Sequence, residues 1–366
     1  ALTNINQTYR GVVVEVSSFK TYIKSNLTQD LLSTQSSEME IWSFEPNKKL
    51  KTLLSSSQST QFKRLSEKIK LNFTDEKSLY EFCVNLKAAF SKNEYQVQLM
   101  ELFKCMLEGT KSLQKQLTSI GLGELALSTI RTTSSFDLVQ KSVSVLNALL
   151  KSNNNEFKGR LFAYLTQTQS WFFVFVKFFL RETKDRVSKI ALESNLYTQR
   201  FGSSRLQNTP DSGKNQLCCE ILLLLQLFCD NCYLPFQNYL REQKVTQSVD
   251  LVDEVCGLLL VLKPCESFEL DRLILQCLKT LTDFCQGPCS ENQKKLGKNL
   301  LIYNFFQQVF DFQQNFEEGL YFDILSETLN FLHSLLEEDT NRNISKIMVK
   351  RLDLGTLLRI STQIYL

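Results

Sequence analysis

Apolar residues recur three and four positions apart in one segment of this chain after another, and this spacing places them on one face of an α-helix. The stretch YQVQLMELFKCML (residues 95–107) shows the pattern, and so does the stretch 136–150. Glycine (12) and proline (5) are scarce for 366 residues, although many short strands and tight hairpins would need both. The sequence therefore predicts an all-α protein.

Roughly a dozen such segments follow one another, joined by short polar connections. The others are 160–168, the aromatic segment from 170 onward, 217–229, 235–243, 248–262, 271–286, 299–312, 321–337, 344–352 and 354–365. Pairs of apolar helices return at intervals near the armadillo or HEAT repeat length of about 40 to 47 residues. No strict repeat consensus is visible, but the succession predicts an α-solenoid of armadillo- or HEAT-like helical repeats.

Changes in composition divide the chain into four predicted parts. Residues 1–90 form an N-terminal segment with little clear periodicity, taken as helical because its neighbours are. Residues 91–187 form an armadillo-like helical array. Residues 188–214, which contain FGSSRLQNTPDSGK, are predicted to be a polar linker or mobile loop. Residues 215–366 form a second armadillo-like module.

Charge and hydropathy exclude two classes of partner. Lys plus Arg (42) nearly balances Asp plus Glu (39), and no long basic run is present, so no nucleic-acid partner is expected. The most apolar window, residues 171–180, is about half as long as a membrane-spanning helix and contains Lys177. It is predicted to be a core helix, with no direct insertion of this segment into a membrane.

Catalytic motifs are also missing from the sequence. It contains no phosphate-binding loop, nucleophile elbow or zinc-protease motif. The one histidine, His333, lies in the apolar segment LNFLHSLLEE without a triad partner nearby in sequence, and it is predicted to be a packed helix residue. The sequence therefore predicts a protein that is not an enzyme.

The cysteines leave three interpretations open. Eleven is an odd number, and nine lie between Cys218 and Cys289, which favours a reducing compartment over a disulfide framework. A zinc site could draw on CDNC (Cys229 and Cys232) and CQGPC (Cys285 and Cys289). Because Cys229 and Cys285 each end a strongly apolar segment, buried helix-end thiols are favoured over zinc.

Two acidic residues stand next to these cysteines. Asp230 follows Cys229 directly, and Asp283 precedes Cys285 by two positions, so each carboxylate lies at the C-terminal end of a predicted helix. The helix dipole disfavours negative charge there, and a nearby cation would offset the cost. Calcium prefers carboxylate and carbonyl oxygens. A calcium half-site is one hypothesis, and a pair of solvated acids is the favoured alternative.

Two longer motifs carry a family resemblance. LTDFCQGPCSENQ (residues 281–293) closely resembles the LTEYCQGPCxENQ signature in the cytosolic armadillo region of inositol trisphosphate receptors, and its ryanodine receptor counterpart. QLFCDNCYLPFQNYLREQ (226–243) resembles that family's QLLCENxxxxxQNFLRxQ with equal spacing from the cysteine to QN-[FY]-LR. The stretch 332–365 looks like the helices that close the module, and weaker similarity reaches back to about residue 90.

The resemblance implies a function. In that family the module, here residues 215–366, is a receptor-homology-associated solenoid that couples ligand-binding parts to a tetrameric calcium release channel. Carried over by motif, the family's calcium-binding acids fall on Asp230 and Asp283, with Asp where the family has Glu. The resemblance thus implies a non-catalytic regulatory segment on the cytosolic face of an internal membrane, possessing half of a calcium site, within a larger assembly such as a homotetrameric channel.

An alternative keeps the same descent without the pore. In it, the chain is an armadillo scaffold in a large assembly, for example a cytoskeletal or ciliary one. This hypothesis predicts exposed aromatic residues on the solenoid ridges, among them Phe305, Phe306, Phe310, Phe312 and Phe316. A zinc-stabilised helical module unrelated to the family is the third hypothesis.

Overall fold

The structure is a computed structural model, and sixteen helices lie in the parts of the chain that it describes. The described residues are 62–64, 66–67, 76–90, 96–108, 111–151, 155–167, 171–201, 212–243, 248–264, 267–287, 289–311, 319–337, 339–340 and 342–365. Within these ranges every regular element is helical, with no strand. The prediction of an all-α helical-repeat fold is therefore confirmed.

The described residues divide into two compact units, with the boundary between Phe157 and Lys158. The first unit contains five complete helices: α1 (Glu76–Phe90), α2 (Gln96–Leu107), α3 (Lys111–Ser119), α4 (Leu122–Thr132) and α5 (Phe136–Lys151). Helix α5 packs against α2 and α4. The boundary falls inside the next helix, α6 (Asn155–Gln167), and thus within the predicted array 91–187.

The second unit contains ten further helices. They are α7 (Trp171–Phe201), α8 (Ser212–Cys229), α9 (Leu234–Arg241), α10 (Leu251–Leu259), α11 (Phe268–Cys285), α12 (Ser290–Gly297), α13 (Leu300–Asp311), α14 (Gly319–Leu336), α15 (Asn343–Arg351) and α16 (Leu354–Tyr365). Helix α11 packs along α8 on one side and α14 on another, and α7 packs against α8 and α10. Side-by-side packing of successive helices is the arrangement of a helical-repeat protein.

The sequence explains why α8 and α11 occupy the middle of this unit. Helix α8 buries Leu217, Ile221, Leu224 and Phe228 together with four more apolar side chains, which is too wide an apolar surface for a helix with only one buried face. Ser267 precedes α11 as its N-cap residue, and its Oγ accepts a hydrogen bond from the backbone N–H of Leu270 at 3.2 Å.

Two sequence predictions differ in part from the described helices. Residues 188–201 continue α7 rather than forming a linker, because a helix that is already packed can extend through a polar stretch without a periodic apolar pattern; residues 202–211 lie outside the described residues. In the first unit α1 and α4 begin 46 residues apart and α2 and α5 begin 40 residues apart, close to the predicted repeat length. In the second unit α8, α11 and α14 begin at Ser212, Phe268 and Gly319, more than fifty residues apart.

The aromatic residues predicted to lie exposed on the ridges are mostly in the core. Phe305, Phe306 and Phe310 are buried in α13, while Phe312 and Phe316 lie outside the described residues. Most of the predicted N-terminal segment also lies outside them, since description begins at residue 62. None of the described helices is long and apolar enough to cross a membrane.

Candidate functional site

Asp230 lies in a tight turn where α8 ends. Its backbone N–H donates to the carbonyl oxygen of Gln226 at 3.0 Å, which completes the last turn of α8. Asn231 and Cys232 then take left-handed backbone conformations with φ of 58° and 54°, which non-glycine residues rarely adopt. The chain reverses there, and Tyr233 N–H donates to the carbonyl oxygen of Cys229 at 3.1 Å. The Asp230 carboxylate is therefore fixed at the C-terminal end of α8.

Asp283 lies in the last turn of α11, which other motif residues hold in place. The side-chain amide of Gln237, fully buried in α9, donates to the carbonyl oxygens of Asp283 and Gln286, both at 2.8 Å. Asn292 donates to the carbonyl oxygen of Phe284 at 2.7 Å, and Gln293 donates to that of Cys285 at 2.8 Å. The last carbonyls of a helix have no partners inside it, so these amides give α11 a fixed end.

The turn after α11 contains Gly287. This residue has φ of +76°, in the left-handed region that glycine adopts without a steric cost. Its N–H donates to Glu337 Oε2 at 2.7 Å, which connects the turn to the end of α14. Pro288 lies outside the described residues.

Lys158 brings a positive charge to the end of α8. It lies on α6 and is 1% exposed, and its Nζ donates to the backbone carbonyl oxygen of Asp230 at 2.7 Å. The same Nζ lies 5.7 Å from the centre of the Tyr233 ring, within cation–π range. Burial lowers the pKa of Lys158, while the charges of Asp230 and Asp283 oppose that shift. Sequence reasoning missed this residue, because EFKGRLFAYL has only an amphipathic pattern.

The surroundings of Asp283 make its charge costly. Its pKa is raised to about 6, mainly by burial; the nearby carboxylates of Asp230 and Glu327 also raise it, while a hydrogen bond with Gln226 and the charge of Lys158 lower it. Glu327, on α14, also accepts a hydrogen bond from Thr282 at 3.0 Å. The carboxylate of Asp230 thus acts electrostatically on that of Asp283. Neither this site nor any other part of the described ranges contains a group of three or more His, Cys, Asp or Glu side chains that could hold a metal ion.

The raised pKa gives a testable pH dependence. The folded protein binds a proton at Asp283 more tightly than the unfolded chain does. The free energy of unfolding therefore decreases as pH rises from about 4, and this decrease is complete above about pH 7. A shift of this size corresponds to about 3 kcal/mol at most, and solvent screening of a partly exposed group reduces the expected loss to about 1 kcal/mol.

The measurement is urea unfolding at pH 4.5 and pH 7.5. Asp283→Asn is expected to remove this part of the pH dependence and to gain stability at the higher pH. Asp323→Asn, which changes an exposed carboxylate on α14, is the matched control and should leave the profile unchanged. A wild-type profile identical to that of Asp283→Asn would contradict the prediction.

The four motif cysteines are free thiols, and three of them, Cys229, Cys285 and Cys289, are buried. Burial is the main cause that raises the pKa of each thiol, well above the usual value for Cys229 and Cys285. Cys229 and Cys285 are thus buried thiols at the ends of α8 and α11, which is the interpretation that the sequence favoured.

His333 is not the packed residue that the sequence predicted. Its side chain is 81% exposed, with Nδ1 3.8 Å from Glu337 Oε1. The apolar pattern of α14 suggested packing, but His333 lies on the one face of that helix directed to solvent.

Comparison with known proteins identifies the part of the chain that carries both acids. Residues 212–303 match the family described as RyR and IP3R Homology associated. This chain carries an RyR and IP3R homology associated domain. The domain extends from the start of α8 into α13, so Asp230 and Asp283 lie within it, whereas Lys158 on α6 lies outside it.

Similarity to one curated relative extends beyond the domain. The inositol 1,4,5-trisphosphate receptor itr-1 of Caenorhabditis elegans is 26% identical over 267 residues, a match that covers 66% of this chain and 9% of the receptor. The chain thus corresponds to a small part of that receptor's length. A solved engineered protein covers 93% of this chain with 12% identity and a TM-score of 0.27, too low to indicate a common fold.

Proposed function

We propose that this chain is a non-catalytic regulatory and coupling segment of an intracellular calcium release channel that resembles the inositol trisphosphate receptor. The observation that carries the proposal is the RyR and IP3R homology associated domain at residues 212–303, supported by similarity to itr-1, which is named as such a receptor. The proposed setting is the cytosolic side of an internal membrane, in a homotetrameric assembly to which this segment transmits structural change.

The rigid end of α11 supports a coupling role. Gln237 on α9 and Asn292 on α12 hold the end of α11 through direct hydrogen bonds. Glu337, directly after α14, holds the Gly287 turn in the same way. A movement of one of these helices would therefore displace the others, which is how packed elements transmit a change between sites.

Asp230 and Asp283 are proposed as half of a calcium site. Two carboxylates from neighbouring helix ends supply part of the six to eight oxygens that calcium takes, and other parts of a larger assembly would supply the rest. Because the pair is incomplete and Lys158 stands beside it, the expected affinity of this chain is weak, with a dissociation constant of about 1 mM or above.

Calorimetric titration of calcium tests this proposal. The wild-type chain is expected to bind weakly, and Asp230→Asn/Asp283→Asn is expected to abolish the binding because both negative ligands are lost. Asp323→Asn on α14 is the control and should bind like the wild type. Equal binding by the double variant would place the ion elsewhere, and the absence of binding in every protein would leave the segment without a calcium-sensing role of its own.

A second candidate function is a scaffold of the same descent without a pore. Its support is a set of exposed apolar side chains on the second unit: Phe178 is 70% exposed on α7 and Val174, one turn earlier, is 40% exposed. An exposed apolar stripe is typical of a protein interaction surface. Size measurement of the full-length parent protein in mild detergent distinguishes the candidates, because a channel is expected as a tetramer and a scaffold is expected bound to other chains.

A further inference from the structure

Lys158 is an unusual residue for its position. It is one of the largest fully buried side chains in the described chain, at 1% exposure, and lysine is almost never fully buried unless it is paired. It comes from α6, outside the homology domain at residues 212–303, and it lies 72 residues before its hydrogen-bond partner. Its burial therefore depends on a specific contact between α6 and the end of α8.

That contact gives the ammonium group one hydrogen bond and a favourable electrostatic setting. The carbonyl oxygen of Asp230 accepts one hydrogen bond at 2.7 Å, at the negative end of the α8 dipole. The Tyr233 ring faces the ammonium at 5.7 Å. The carboxylates of Asp230 and Asp283 act on it electrostatically. Glu327 is another acid that acts electrostatically on Asp283.

One of the oxygen atoms that a divalent cation could use already has a cationic partner. Carboxylate and backbone carbonyl oxygens are the ligands that calcium prefers, and the Asp230 carbonyl oxygen accepts a hydrogen bond from Lys158. An ammonium held at this oxygen repels a calcium ion that approaches it in a partly buried site, so Lys158 opposes calcium binding there.

We infer that the Lys158 ammonium, buried and bonded to the Asp230 carbonyl oxygen, lowers the affinity of Asp230 and Asp283 for a divalent ion. The inference rests on the proposed calcium site for the identity of the competing ion, but the pairing itself is independent of it. A side chain outside the homology domain, that of Lys158 on α6, thus influences how strongly Asp230 and Asp283 bind a divalent ion.

The test compares wild-type protein with Lys158→Met, which keeps most of the side-chain volume and removes the charge. Thermal unfolding is measured in a chelator and in about 1 to 5 mM calcium chloride. In chelator, Lys158→Met is expected to melt several degrees below the wild type, because two acids lose their cation. Calcium is expected to restore most of this loss, with a half-saturating concentration at least tenfold lower than for the wild type.

Two further variants make the result specific. Lys158→Met/Asp283→Asn should recover part of the lost stability in chelator and lose the calcium response. Lys295→Met is the matched control: Lys295 on α12 also pairs with two acids, Asp250 and Asp253, but it is only half-buried. It should show no gain in calcium response.

The outcomes separate this inference from the proposed function. Wild-type binding that requires both acids and is unchanged by Lys158→Met overturns the inference and leaves the calcium proposal standing. Tight binding by Lys158→Met alone supports the inference and removes calcium sensing from the wild-type segment. If Lys158→Met does not fold, the inference predicts that Lys158→Met/Asp283→Asn does fold, and failure of that variant as well overturns it. A double variant no more stable than Lys158→Met in chelator also overturns it.

Discussion

Phe284→Ala is expected to lower the free energy of unfolding of the second unit by about 4 kcal/mol. Phe284 has no exposed surface and lies on α11, which packs against both α8 and α14. Removing its ring opens a cavity that these packed helices can close only in part. Because α11 also carries Asp283, the loss is expected to weaken any calcium response as well.

The measurement is urea unfolding monitored by the fluorescence of Trp171, which lies in the same unit, in a Trp42→Phe background. Phe268→Ala is the matched control, since Phe268 begins the same helix but is 66% exposed. It should change the stability by less than about 0.5 kcal/mol. Equal losses in the two variants would contradict the central position of α11.

Gly287→Ala is expected to destabilise the second unit by about 2 to 4 kcal/mol. The left-handed conformation of Gly287, with φ of +76°, costs an L-residue about 1 kcal/mol. In addition, the new Cβ would lie 2.6 Å from Sγ and 2.7 Å from Cβ of Cys232, so the turns after α8 and α11 would have to separate. Circular dichroism during thermal unfolding provides the measurement.

Two comparisons identify the cause of that loss. Gly159→Ala on α6 should be neutral or slightly stabilising, because its new Cβ would approach only the Tyr233 hydroxyl at 3.9 Å and alanine favours helix. Gly287→Ala/Cys232→Gly should recover the part that is due to the clash, since both contacting atoms are removed. A double variant as unstable as Gly287→Ala would show that backbone strain alone accounts for the loss.

Much of the candidate site could be predicted from the sequence because it depends on neighbours along the chain. The apolar periodicity of α8 and α11 indicated that both helices end near Cys229 and Cys285, and the order of residues then put Asp230 and Asp283 at those ends. The motifs pointed to the homology domain. Each of these conclusions requires only a few adjacent residues.

The amino-acid sequence by itself thus determined the helical class, the ends of the central helices and the acids placed there, because helix periodicity and end residues act over one or two turns. The tertiary structure alone decided that α7 continues through its polar stretch, that Phe305 and Phe306 face the core, and that Lys158 reaches Asp230. The last contact joins residues 72 positions apart. Such a contact depends on how whole helices pack, and helix packing brings together side chains that no local pattern relates.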